Sequence, residues 1–291
     1  RHWEGLDREA GGGNTLSFRS AQMHIHPFSS LLPPPGRAAQ VASLPYDTVS
    51  TEEAAAWARE RPVSFLHVTR PEVDLPPGTD PRDESAHRQA RCAFEHFRHA
   101  GLLRPDGEPS LYLYRMAGNG HRQLGLVACC DVSDYRSGLI RCHKRTHTER
   151  EIDRARHMLA TGAHTEPVLL AHRDDPEIEE HAREDSNERP LFHFRAPDGI
   201  THSVWRAHRV EHYLRRFEAI GPAWIADGHH RSAAAARVAE ALPDNPEAAS
   251  FLALLVPVSQ LRILPCHRLV RTLGDLTPEV FMKQLAAIGA L

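Results

Sequence analysis

The stretch Trp224-Ile225-Ala226-Asp227-Gly228-His229-His230-Arg231-Ser232, followed by the alanines 233 to 236, decides how this chain reads. Pro222 to Ala226 is a short apolar stub that predicts a buried strand, Gly228 permits a tight turn, and Ser232 onward is nearly all strong helix former. At such a junction unpaired backbone N–H groups and the positive end of the helix dipole face one point, where an anion is stabilised. Arg231 adds a planar fork suited to phosphate, His229 and His230 add donors or proton carriers, and Asp227 adds a carboxylate for a metal or a hydroxyl. The combination points to phosphate chemistry. The plain alternative is a helix cap, in which Asp227 or Gly228 opens an alanine-rich core helix. It leaves three consecutive large polar residues behind an apolar strand without a purpose.

Working outward, Arg209 to Ile220 has helical periodicity and leads directly into this segment, while Phe251 to Val258 beyond it is a strongly apolar strand. Leu261 to Val270 reads as a further strand interrupted at Pro265, and Thr277-Pro278-Glu279 opens a last helix with the expected cap and first-turn pairing. That helix reaches Leu291 without a stop signal, so a chain cut short at its carboxyl end is expected. On the amino-terminal side, Leu191 to Phe194 with Ser203 to Ala207 predicts a hairpin, Asp174 to Asp185 an acidic helix, and Pro167 to Ala171 a buried strand. The clearest hairpin joins Leu111 to Met116 and Gln123 to Val132 through Gly118-Asn119-Gly120. Ala86 to Ala100 is an amphipathic helix, Ser64 to Thr69 reads as a strand, and Pro71 to Pro81 as a proline-rich loop. Ser50 and Glu53 have capping-box spacing at the start of a helix opening at Thr51. Residues 1–22, with Gly11-Gly12-Gly13, read as a disordered leader, and Met23 to Phe28 alternates like an opening strand. Hairpin-like pairs thus alternate irregularly with helices, which predicts an α+β domain over residues 23–291 with a mixed sheet, not a doubly wound one.

Composition narrows the class. A chain of 291 residues with 41% hydrophobic content buries one large or two modest cores. Thirty-five basic against thirty-eight acidic side chains leave a net charge of -3, no global field for a polyanion, so no nucleic-acid partner is expected. Apolar runs fall far short of the ~20 residues that span a bilayer, and no stretch reads as a secretory signal. A cytoplasmic protein without a membrane partner is therefore expected. Five cysteines without a C-x-x-C pair read as reduced thiols, and Cys142-His143 with Cys266-His267 lack the spacing of zinc knuckles.

The stretch His143-Lys144-Arg145-Thr146-His147-Thr148-Glu149-Arg150-Glu151-Ile152-Asp153-Arg154 is densely charged and becomes helical toward Leu159. Such runs usually form solvated helix faces laced with ion pairs. Here His143 and Thr146 precede the helix, and His143, Thr146 and Arg154 are expected to lie near Arg231, because catalytic groups converge from several segments.

Four blocks in order resemble the domain-of-unknown-function family number 1015, from about Ile25 to the end: Leu44-Pro45-Tyr46-Asp47-Thr48-Val49-Ser50, Ser64 to Glu72, His143 to Thr146 with Glu151 to Arg154, and Ile225 to Arg231. Members of that family are usually longer at the carboxyl end, and they commonly carry Glu after the first His of the third block, where this chain has Lys144. The segment from Pro222 to Pro257 is also similar to the phosphate-binding box of the ParB-like and sulfiredoxin-like fold, which includes nucleotide-dependent kinases of free serine. That resemblance implies nucleotide phosphates held at a helix start and a carboxylate from earlier in the chain acting as base.

The leading expectation is a small-molecule phosphotransferase acting on a hydroxylated metabolite, serine foremost, with Mg and a nucleotide (ADP or ATP) as cofactors. Phosphoryl transfer needs a cradle of N–H donors, cations, a divalent metal and a carboxylate for the nucleophile. Gly228, His229, His230, Arg231 and Ser232 supply the cradle, Asp227 the metal or hydroxyl partner, Asp47, Glu52 or Glu151 the base, and His143 or His230 a proton carrier. No Walker-type G-x-x-x-x-G-K-[ST] segment is present. A non-catalytic nucleotide-binding regulator of ParB-like type ranks second, since no helix-turn-helix or basic surface accompanies the box. A metal-dependent hydrolase or phosphatase on Asp227, His229 and His230 ranks third, because adjacent helical residues point about 100° apart.

Overall fold

The computed structural model describes residues 22–263 and 270–289. The chain opens with strands β1 (Ile25–His26) and β2 (Leu31–Leu32) and helices α1 (Ala38–Val41), α2 (Thr51–Glu60), α3 (Leu66–Thr69) and α4 (Glu84–His99). Then come β3 (Arg104–Pro105), β4 (Tyr112–Gly118), β5 (His121–Asp131), α5 (Val132–Arg136), β6 (Ile140–Arg141), α6 (Thr148–Thr161), β7 (Val168–His172) and α7 (Pro176–Asp185). The rest runs β8 (Phe192–Arg195), β9 (Thr201–Arg206), α8 (Val210–Ile220), β10 (Ala223–Asp227), α9 (His229–Ala241) and β11 (Ser250–Pro257). Residues 262–291 form a separate unit carrying α10 (Pro278–Ala287), where the Thr277 hydroxyl accepts from the Val280 N–H.

In the main unit the strands join in the order β6-β10-β7-β11-β5-β4-β9-β8, with β1 paired to β5. The β6-β10 and β7-β11 pairs are parallel and the others antiparallel, so the sheet is mixed, as the irregular alternation of hairpins and helices predicts. The β4-β5 hairpin pairs Tyr112 with Val127 and closes at Gly118 opposite His121. Its loop residues Asn119 and Gly120 have φ of 52° and 71°, the paired positive values that match the twist of a two-residue hairpin.

The main core lies on the sheet. Leu170, Ile225, Phe251 and Leu255 pack with Tyr213 and Phe217 of α8, Ile178 of α7 and Ala235 of α9. A second cluster, Val41, Val68, Phe94, Phe97, Leu102 and Leu103, holds the amino-terminal helices together. A third, Ala155, Ala234, Val238 and Ala248, joins α6 to α9, where the alanines of α9 let the two helices approach.

The capping box forms: Ser50 Oγ accepts from the Glu53 N–H at 3.2 Å, and Glu53 Oε2 accepts from the Ser50 N–H at 2.8 Å. Ser64 to Thr69 is not a strand. Its end is the helix α3, because Phe65 meets Phe97 of α4 edge-on at 5.8 Å, Val68 is buried in the same cluster, and six residues with three apolar side chains are too few to fix a period. The proline-rich loop begins with a 3-10 turn, Pro71–Asp74. Leu261 to Ile263 is not a strand, and the rest of the predicted strand, at 264–269, lies outside the described residues, as does the leader up to residue 21. Among the described residues no helix is long and apolar enough to cross a membrane.

Candidate functional site

Strand β10 runs antiparallel to β7, with a register shift between Ile225 and Asp227. Such an irregularity breaks the alternation of side chains and re-aims the strand end. Ala226 and Asp227 are accordingly both exposed after the buried Ile225. Gly228 follows with φ 94°, and a Cβ there would lie 3.0 Å from Arg231 Nε and 3.2 Å from Val168 Cα. Only glycine fits. Gly228 is also the cap residue of α9, and no side chain caps that helix. The N–H groups of Arg231 and Ser232 bond to the Gly228 carbonyl at 2.8 and 3.0 Å, while those of His229 and His230 have no acceptor among the described residues.

Around this helix start the structure gathers residues from four segments. His229 is buried, its Nε2 has no hydrogen-bond partner among the described residues, and its ring meets that of His143 edge-on at 4.5 Å. Burial, and then His143, hold its proton affinity below the ordinary imidazole value. His230 stacks on His147 at 6.1 Å and accepts from the His147 N–H at 3.2 Å; burial, then Arg150 and Lys144, push it down too. Both shifts favour the neutral imidazole.

Arg231 is not a fork projecting into solvent. Its side chain is 12% exposed, Nη1 donates to the Pro167 carbonyl at 2.5 Å, Nη2 pairs with Asp227, and Glu166 stands 3.9 Å away. Its Asp227 partner is 62% exposed. Glu166 itself is 18% exposed and accepts, at 3.5 Å, from the N–H of Tyr46. Burial lifts its carboxyl to about 7, although Arg231 and then Arg154 pull it down; Asp47 adds to the rise. Arg154 lies over the Tyr46 ring at 4.7 Å and donates twice to Asp153, which His87 holds from the other side at 3.1 Å.

The loop bearing Tyr46 and Asp47 is pinned by Arg70, which donates to the carbonyls of Tyr46 (2.6 Å) and Val49 (3.0 Å) and to Thr51 Oγ1 (3.0 Å). The buried Glu72 fixes that guanidinium at 2.5 Å.

Of the residues singled out in the sequence, Asp47, His143, Asp227, His229, His230 and Arg231 thus sit on segments that converge here. Three others are differently engaged. Ser232 is fully buried and its hydroxyl donates to the His229 carbonyl. Glu151 binds Arg237 at 2.7 and 2.8 Å and accepts from Thr146, a tie between α6 and α9; the Thr146 bond, opposed by burial, leads in lowering its carboxyl. Glu52 is exposed in the first turn of α2, where the backbone and Ser50 lower it. Glu166 escaped the sequence reading, because a glutamate before Pro167 at a strand start carries no mark of burial.

These features define a mixed-sheet α+β protein in which most of the residues singled out in the sequence gather around a glycine-started helix. The chain belongs to the family described as "Protein of unknown function (DUF1015)", whose model matches residues 25–290. No curated protein and no solved structure matches it.

Proposed function

We propose that the start of α9 binds a phosphate group and that the chain is a small-molecule phosphotransferase, a nucleotide-dependent kinase of free serine or a related hydroxylated metabolite being the best reading. One observation carries it: Arg231 and the histidines 143, 147, 229 and 230 gather at a helix start that has no side-chain cap, and the buried Nε2 of His229 has no partner among the described residues. Unpaired N–H groups, a helix dipole and guanidinium forks are what a phosphate needs.

An incoming phosphate would compete with the exposed Asp227 for Arg231, and the released carboxylate would turn to a magnesium ion or a substrate hydroxyl. Asp227, Asp47 and Glu166 form no preassembled cage, which suits magnesium, since it takes one or two carboxylates and completes its shell with phosphate oxygens and water. Glu166 near 7 is matched to accept a hydroxyl proton at neutral pH, and His143 or His230 would carry a proton onward. The order β10, turn, α9, β11 supports the ParB-like analogy and a nucleotide as the phosphate source. A cytoplasmic location accords with that pool. Lys144, a cation beside both His229 and His230, favours a second reading in which the same site senses a nucleotide without chemistry.

A thermal-shift screen of nucleotides and phosphorylated amino acids, with and without magnesium, tests the binding. A ligand at a hundred times its Kd stabilises by about 2.7 kcal/mol. Absence of any shift would remove the proposal, and phosphorus NMR of serine with the best nucleotide separates kinase from sensor.

A further inference from the structure

We infer a second site, unrelated to the phosphate cradle, in which His24, Asp131 and Asp134 hold a divalent first-row transition metal such as zinc. Strand β1 runs antiparallel to the end of β5 with Ile25 opposite Cys130 and His26 opposite Cys129. One step further along the same register, His24 comes opposite Asp131, so alternation puts His24, His26 and Asp131 on one face. Asp134 joins them from the first turn of α5. One ligand atom from each of His24, Asp131 and Asp134 lies within 4.8 Å of the others, and His24 Nδ1 is 3.7 Å from Asp134 Oδ2. Donors on a tetrahedral zinc are about 3.3–3.5 Å apart, so this pair is almost at ligand spacing, and rotation of the half-exposed His24 ring would close the remainder.

Two further observations point to a cation site. Four carboxylates of the described residues are buried: Glu72, Asp134, Asp175 and Asp185. Glu72 pairs with Arg70, Asp175 with Arg216 and Asp185 with Arg209. Asp134, 7% exposed, has no arginine or lysine among the described residues, only the backbone N–H and ring of His24. A buried carboxylate beside a second carboxylate is costly without a counter-ion. Secondly, Asp131 is the cap residue of α5, where an aspartate ordinarily accepts from the helix N–H groups, yet it makes no such bond. Its Oδ1 instead lies 2.8 Å from His26 Nε2, the kind of outer contact that orients a ligating carboxylate. One imidazole with two carboxylates suits zinc or manganese better than magnesium, which prefers oxygen alone.

The chelator-stripped protein, titrated calorimetrically with Zn²⁺, is expected to bind one equivalent, with a matching rise in Tm. His24→Ala and Asp134→Asn should each weaken that binding at least tenfold, and His26→Asn by about tenfold or more through the carboxylate it orients. Cobalt(II) in place of zinc should give visible ligand-field absorption that His24→Ala abolishes. The half-exposed His24 is the decisive position should Asp134→Asn unfold, because its loss leaves the strand pairing intact. Failure of the wild type to bind zinc, or binding undiminished in His24→Ala, overturns the site, including the case in which other histidines take up the metal.

Discussion

Replacing Glu166 by glutamine should make the protein more stable at pH 8. The carboxyl is lifted by burial from its ordinary 4.5 to about 7, against the pull of Arg231 and Arg154. A folded state that keeps this proton while the unfolded chain releases it has its full stability below pH 4.5 and loses it as pH rises to about 7. That interval corresponds to about 3 kcal/mol. Glutamine keeps the shape and never ionises, so the variant should escape the loss: no gain near pH 4, and up to ~3 kcal/mol at pH 8. For a unit of this size that raises Tm by about 6–12 °C. The wild-type profile alone would conceal the effect. His157, buried and donating from Nε2 to the Val68 carbonyl at 2.8 Å, is pushed down to about 4 by burial, so it contributes stability that is lost as pH falls from 6.5 to about 4. The two slopes oppose each other across nearly the same window. Urea unfolding of both proteins at several pH values, read as the difference between them, isolates Glu166. A difference that stays flat with pH, or a glutamine variant less stable at pH 8, would refute the account of a desolvated Glu166 carboxyl.

Three further substitutions test the surroundings. Arg231→Ala should lower affinity for the best ligand of the thermal-shift screen by about ten- to a hundredfold, and should also cost ~2–3 kcal/mol of stability because Glu166 and the Pro167 carbonyl lose their partner; calorimetric titration showing equal affinities would sink the phosphate cradle. Gly228→Ala should destabilise by about 1–3 kcal/mol, since alanine is forced into left-handed backbone and against Val168; an unchanged urea midpoint would contradict the fit. Arg70→Ala strands the buried Glu72 and should cost ~3–5 kcal/mol. It should also speed proteolytic cleavage within residues 46–51, and a loop as resistant as the wild type would mean that Arg70 does not hold it.

Elements were legible where a local rule and the tertiary environment agree. Asn119-Gly120 needs positive φ and has residues that tolerate it, so the β4-β5 hairpin follows from the sequence. The Ser50 and Glu53 box closes on itself over three residues and needs nothing from the rest of the chain. Ser64 to Thr69 fails the same test. Its apolar residues are satisfied by α4, and α4 decides the conformation. The strand order is likewise illegible, because β10 finds β6 in parallel and β7 in antiparallel register through contacts that no local signal encodes.

At the site, residue types were legible and their engagement was not. Arg231 reads in sequence as a fork awaiting a ligand, and Glu151 as a base; in the fold Arg231 is already strapped to Asp227 and the Pro167 carbonyl, and Glu151 to Arg237. The two straps differ in what they permit. Glu151 accepts two guanidinium bonds and one from Thr146, so freeing it would break the junction of α6 with α9. Asp227 is 62% exposed and water can take up its carboxylate, so in the proposed binding a phosphate would displace it while the Pro167 carbonyl still aims the guanidinium. An arginine held this way has already lost much of its rotamer freedom, and binding would spend less entropy on ordering it. Lys144 works in the same direction: it stands beside His229 and His230 and adds to burial in lowering both, a cation that would favour an anion in the proposed cradle. In the proposed reaction, base chemistry would fall to the side where Glu166, Tyr46 and Asp47 meet Arg154 and Arg231.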